Sequence, residues 1–80
     1  MRFEWEPEDI KVGRVVGKPG RGERWMIGYM AESILGEEKR YTLNSMADGL
    51  VQMPRTASEL AASLNKTGEW PSELLPPTVI

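Results

Sequence analysis

The sequence predicts an α+β fold: a small antiparallel sheet of four to five strands, strongly curled with an SH3-like barrel as the limiting form, and one C-terminal helix packed on it. Three observations lead there. Apolar residues alternate with period 2 in several short runs before residue 54, and glycine, proline and Asp-Gly steps separate those runs. After Pro54 the period changes to that of a helix. The chain has 80 residues, enough for a single domain (1–80) and too few for a second core.

Residues 1–9 carry Phe3 and Trp5 on one parity and Arg2, Glu4 and Glu6 on the other, a short alternation ended by Pro7. This segment reads as an N-terminal arm or an edge strand. Between residues 10 and 17, Ile10, Val12 and Val16 share a parity, Arg14 interrupts it, and the β-branched content favours a strand. WMIGYMAESIL, from Trp25, alternates Trp25, Ile27, Tyr29 and Ala31 against Met26, Gly28, Met30 and Glu32, apolar on both faces as far as Met30, which predicts a central strand followed by a turn at GEEK, 36–39. Gly28 within it marks a bulge or the close approach of a neighbouring side chain. RYTLNSM resumes the alternation, and Asp48-Gly49 before LVQM signals a hairpin turn because glycine tolerates positive φ. Residues 10–53 therefore form an antiparallel meander with short links.

Thr56 followed by Glu59 has the spacing of a capping box, and Ala57, Leu60, Ala61 and Leu64 lie on one helical face. Gly68 supplies the left-handed stop, so a helix is expected at 56–67. Alone in water so short a helix does not persist, and it must lie on the sheet. Residues 68–80 read as a tail, docked through Trp70 onto the core and loose beyond Pro76.

Net charge is only −2, but it is unevenly placed. Residues 1–9 carry −3, residues 10–24 carry +4 and the remainder −3. The basic island, Lys11, Arg14, Lys18, Arg21 and Arg24, contains the segment GKPGRGERW, which invites three readings. A phosphate loop of the Walker type fails because Gly13 and Gly17 are one residue too close and Pro19 stands where a hydroxyl is required. A dinucleotide fingerprint fails for want of a third glycine opening a helix. A nucleic-acid finger is physically reasonable, with the five cations tracking a backbone and Trp25 or Tyr29 offering a stacking face. The spacing of Val12, Gly17, Gly20 and Gly22 loosely resembles the KOW motif of ribosomal and transcription proteins, a likeness made mostly of glycines. A charged hairpin tip explains the same composition without any ligand.

Histidine and cysteine are both absent. That removes the common general base, the thiolate nucleophile and the imidazole or thiolate metal ligands. No catalytic residues, no metal site and no cofactor are expected, and Asp48-Gly49 lacks the spaced oxygen ligands of a calcium loop. With no apolar run near the roughly 20 residues that cross a bilayer, and acids near the start, the expectation is a cytoplasmic protein without a membrane partner.

Three tryptophans and five methionines are many for this length. A sheet covered by one helix buries one face, so some of these residues become a contact surface for another protein, where aromatic residues and methionine are enriched. The candidates are Phe3, Trp5, Glu6, Glu8, Asp9, Met26 and Met30, the first five as an acidic and aromatic arm. In size, charge and lack of catalytic groups the chain is similar in style to small acidic phage-encoded proteins, including inhibitors of bacterial defence systems. The leading expectation is a non-catalytic protein-binding accessory or inhibitor, with a homodimer as one form of partner. The alternative is a nucleic-acid-binding module using Lys11, Arg14, Lys18, Arg21 and Arg24.

Overall fold

Thr56 and Gly68 delimit the helix as their chemistry requires. In the computed structural model, which describes residues 3–30 and 39–75, α1 runs Ala57–Thr67. Thr56 Oγ1 accepts the Glu59 N–H at 3.2 Å, and Glu59 Oε1 accepts the Thr56 N–H at 3.0 Å. Gly68 closes the other end at φ 74°, in the left-handed region open to glycine, with its N–H directed at the Asn65 and Leu64 carbonyls. The apolar face packs inward: Leu60, Ala61 and Leu64 are buried and Ala57 packs against them.

Beneath the helix lies a curled five-stranded sheet, antiparallel throughout, in the order β4-β3-β2-β1-β5. The strands are β1 (Val15–Gly17), β2 (Trp25–Met30), β3 (Arg40–Ser45), β4 (Arg55–Thr56) and β5 (Trp70–Pro71). Strand β2 is central, as its two-sided apolar pattern predicts, and pairs with β3 over its whole length, from Trp25 opposite Ser45 to Met30 opposite Arg40. Val16, Ile27 and Leu43 face the helix and are buried with Trp5, Ile10, Leu60, Ala61 and Leu64. Gly28 is required for this pairing. A β-carbon there would lie 2.6 Å from Thr42 Oγ1, because the Thr42 and Asn44 side chains, hydrogen-bonded to each other at 2.9 Å, cover the glycine.

The structure differs from the sequence expectation at four places. First, the strand expected over 10–17 is regular only from Val15. Gly13 at φ 89° donates to the Ile27 carbonyl, while the Ile27 N–H donates to the Arg14 carbonyl. Two residues thus oppose one in a glycine-type β-bulge, which resets the parity: Val16 turns inward and Val12 is left exposed.

Second, LVQM does not form a full strand. The chain turns at 46–49, with Gly49 at positive φ and the Ser45 N–H bonded to the Leu50 carbonyl, as Asp-Gly predicts. Only Val51 then bridges to Asn44, with the Gln52 N–H on the Leu43 carbonyl, before the chain leaves the sheet and returns as β4.

Third, Trp70-Pro71 is an edge strand, its residues opposite Gly17 and Val16. Pro71 is buried. Trp70 shares the parity of Gly17 and is half-buried, and it does not join the residues packed on the core.

The fourth difference is at the N-terminal segment. It is neither a strand nor a free arm. Trp5 is only 3% exposed and belongs to the core. Its N–H donates to Asn65 Oδ1 at 2.6 Å and its carbonyl accepts from Asn65 Nδ2 at 3.0 Å, so one carboxamide replaces the neighbouring strand an extended segment would otherwise need. The indole N–H donates to the Glu69 carbonyl at 2.6 Å. Phe3 meets the indole edge-on at 4.9 Å, and the Arg14 guanidinium lies 5.3 Å from the ring centre. Residues 7–9 then form one 3-10 turn. The expected continuation of the strand past Met30, most of the expected turn at 36–39 and the expected loose segment beyond Pro76 lie outside the described residues.

Candidate functional site

Two surfaces remain after the core is assembled, one on each side of the sheet. The outer face follows from register: Val15 opposes Met26, Met26 opposes Asn44, and Asn44 bridges to Val51, so these four side chains form one row across the sheet. Met30 continues the face along β2. Met26 is 37% exposed, Met30 50% and Val51 56%, and no described element lies over them. Leu50 and Met46 beside the 46–49 turn are exposed as well. Among the candidates named from sequence, Met26 and Met30 are thus together on one open surface.

The remaining protein-contact candidates are placed elsewhere. Trp5 is internal and Phe3 is half-buried against the core, so neither presents an aromatic face to a partner; their alternation reports contact with α1 and not exposure. Asp9 is half-buried, accepting the Glu6 N–H at 2.9 Å, and its carbonyl accepts from Arg14. Glu6 and Glu8 are exposed.

On the helix side, the 18–24 loop, β3, β4 and the last turns of α1 enclose a cleft of about 430 Å³. Trp25 and Leu43 supply its apolar wall. Lys18, Arg21 and Arg55 contribute three cations, Glu23 and Glu69 two carboxylates, and Gln52, Ser63 and Thr67 neutral polar groups. Three ion pairs occur among the described residues, Arg14 with Asp9 and Glu73, and Arg40 with Glu59, and none involves a cation of the cleft. Arg55 is held by a 2.8 Å bond from Nη1 to Ser63 Oγ. The Thr67 hydroxyl donates to the Glu69 carboxylate, with the Ser63 carbonyl 3.0 Å away as the alternative acceptor, which ties Glu69 to the end of the helix.

The five basic residues of the 10–24 island do not converge. Lys18 and Arg21 reach the cleft. Arg14 is committed to the interior edge: it donates to the Asp9 carbonyl at 3.1 Å and to Glu73 Oε1 at 3.0 Å while covering Trp5. The Glu73 carboxyl is held below its ordinary pKa, first by a backbone N–H and then by Arg14. Arg24 folds back on its own loop, Nη1 bonding the Arg21 carbonyl at 2.7 Å and the Glu23 carbonyl at 2.8 Å. Gly17 makes that closure possible, since a β-carbon there would stand 2.8 Å from both Arg24 Nη1 and the Glu23 carbonyl. Lys11 is exposed and outside the cleft.

Sequence reading missed Arg55, Ser63, Thr67 and Glu69 as cleft residues. The one available signal was the i, i+4 spacing of Ser63 and Thr67 beside the apolar stripe; Arg55 and Glu69 are brought in by β4 and by the chain reversal after Gly68, which carry no local pattern. Among the described residues no group of three His, Cys, Asp or Glu side chains is placed to hold a metal ion, and no helix is long and apolar enough to cross a membrane. The chain matches no protein-family model, and no curated protein or solved structure is significantly similar to it.

Proposed function

We propose that this chain is a non-catalytic protein-binding module, an accessory or inhibitor that works by occupying a partner's surface with the outer face of its sheet. The observation that supports this reading is the exposed pair Met26 and Val51, in one row with half-buried Val15 and extended by Met30, on the face of the sheet opposite α1. Methionine suits such a surface, because its flexible thioether adapts to a partner's relief while burying large area. Apolar side chains left in water at these positions gain roughly 25 cal/mol for each Å² that a partner covers.

The test is affinity capture from the native cell with three versions of the protein: the parent, Met26→Glu with Met30→Glu, and Lys18→Ala with Arg21→Ala. The expected result is a stoichiometric protein partner retained by the parent and the cleft variant and lost by the face variant. Equal capture by all three, or capture only of nucleic acid that is released by moderate salt, overturns it.

The second reading, a nucleic-acid-binding module built on residues 11–24, is favoured by one observation, the position of Lys18 and Arg21 beside Trp25. It is weakened by the internal commitments of Arg14 and Arg24, which leave three of its five cations to contact a polyanion.

A further inference from the structure

We infer that the cleft beneath the 18–24 loop is a binding site for a small planar anion of nucleotide type, its ring against Trp25 and its phosphate among Lys18, Arg21 and Arg55. The site lies on the helix side of the sheet, so it is independent of the outer face and of the protein-binding reading.

Four features converge on this ligand class. The first is size: about 430 Å³ falls within the range of roughly 300–1,000 Å³ typical of small-molecule sites. The second is charge. Lys18, Arg21 and Arg55 border one cleft and none has a carboxylate within ion-pair distance among the described residues, although Glu23 and Glu69 border the same space. Three cations kept near one another repel, and an anion placed between them removes that repulsion while forming charge-assisted hydrogen bonds.

The third feature is the wall. Trp25, half-buried, and Leu43 form an apolar side adjoining the cations, the combination that receives a flat ring and its anionic substituent together. The fourth is pre-organisation. Arg24 ties the Arg21 and Glu23 carbonyls together over the bare α-carbon of Gly17, and Ser63 holds one nitrogen of Arg55. The cationic groups are carried by a loop and a side chain already held in place, so a ligand loses less entropy in ordering them.

The glycine-rich loop thus serves here through side chains. Its backbone does not wrap a phosphate as a Walker loop does, and α1 offers its last turns, Ser63 and Thr67, to the cleft rather than its N-terminus.

The experiment is a calorimetric titration of the full chain at low ionic strength with adenosine monophosphate, alongside ribose phosphate, adenosine and a short single-stranded oligoadenylate. The expected result is saturable binding of adenosine monophosphate with Kd on the order of 1 mM or tighter. Ribose phosphate and adenosine, each lacking one half of the ligand, bind at least about tenfold more weakly, a difference of about 1.4 kcal/mol. Lys18→Ala with Arg21→Ala weakens binding at least about tenfold, whereas Lys11→Ala, a cation outside the cleft, leaves it unchanged.

All these substitutions are at exposed positions, and circular dichroism verifies the fold of each variant. Oligoadenylate binding that is tighter and more salt-dependent than that of the mononucleotide identifies a single strand as the source of the ligand; equal affinity identifies the free nucleotide. Met26→Glu with Met30→Glu is expected to bind adenosine monophosphate as the parent does, which separates the fate of this site from that of the outer face. Absence of saturation, ribose phosphate binding as well as the nucleotide, or equal losses in the Lys11 and Lys18/Arg21 variants overturns the inference.

Discussion

The two faces of the sheet are built from the same strands and obey opposite rules. Along β2, Ile27 is fully buried beneath α1 while Met26, the residue before it, is 37% exposed. On the helix side the buried strand residues meet partners from distant parts of the chain: Trp5 from the N-terminal segment, Leu60 and Leu64 from α1. On the outer side the row from Val51 to Val15 is interrupted by Asn44, and between Met26 and Met30 on β2 lies Gly28 beneath two polar side chains. Hydrophobicity alone therefore does not say which face is core; what decides is where the helix has its own apolar stripe.

Substitutions of similar chemistry on the two faces give the largest contrast. Leu64→Ala is expected to lose about 2–5 kcal/mol, much of the stability a domain of this size possesses. Met26→Ala is expected to stay within about 0.5 kcal/mol, as for other surface changes. Urea unfolding of the two variants measures both, and equal losses would mean that the outer face is also packed in solution.

A smaller effect probes the N-terminal side of the core. Asn65→Ala removes both partners of the Trp5 backbone, and a buried polar group left unpaired costs roughly 1–3 kcal/mol. Hydrogen exchange at the Trp5 indole, bonded to the Glu69 carbonyl, should accelerate in that variant while exchange in β2 and β3 changes only in step with global stability. Uniform acceleration would show that residues 3–10 and the sheet form one cooperative unit.

The smallest expected effect lies at the start of α1, where β4 leads into the helix. Thr56→Ala removes the cap and is expected to cost about 1 kcal/mol. Glu59 gives the same cap a pH dependence. Its carboxyl sits below its ordinary value of 4.5, first through the Thr56 N–H and hydroxyl and then through the charges of Arg40 and Arg55. The folded state holds this proton less tightly than the unfolded chain does, so the contribution is complete above about pH 4.5 and is lost as pH falls toward the lower folded value. Stability measured from pH 6 to pH 3 should therefore fall less steeply in Glu59→Gln than in the parent.

How legible each region was depends on how local its causes are. The helix was readable to within a residue because Thr56, Glu59 and Gly68 act within a single turn of the chain they delimit. The Asp48-Gly49 turn was readable for the same reason. The close approach at Gly28 was readable because a glycine inside an apolar strand is itself the signal, although the side chains that approach it, Thr42 and Asn44, are on another strand. Trp5 was misread as a contact residue because its partner, the Asn65 carboxamide, lies 60 positions away and an asparagine inside a helix announces no such role. Strand β1 was drawn too long because Gly13, one of eight glycines, does not reveal in sequence that it will host a bulge. In the basic island, composition showed five cations, but only the fold separates Arg14 and Arg24, engaged in internal bonds, from Lys18 and Arg21 at the cleft.

The pairing of β5 with β1, and the capture of the Trp5 indole by the Glu69 carbonyl, have a consequence for synthesis in the cell. A nascent chain emerging from the ribosome exposes its first tryptophan long before the residues that shelter it exist, and the sheet gains its final edge only when residue 71 is free. Folding of this sheet must then wait until residue 71 has been made and released, leaving the early segment available to chaperones until that point.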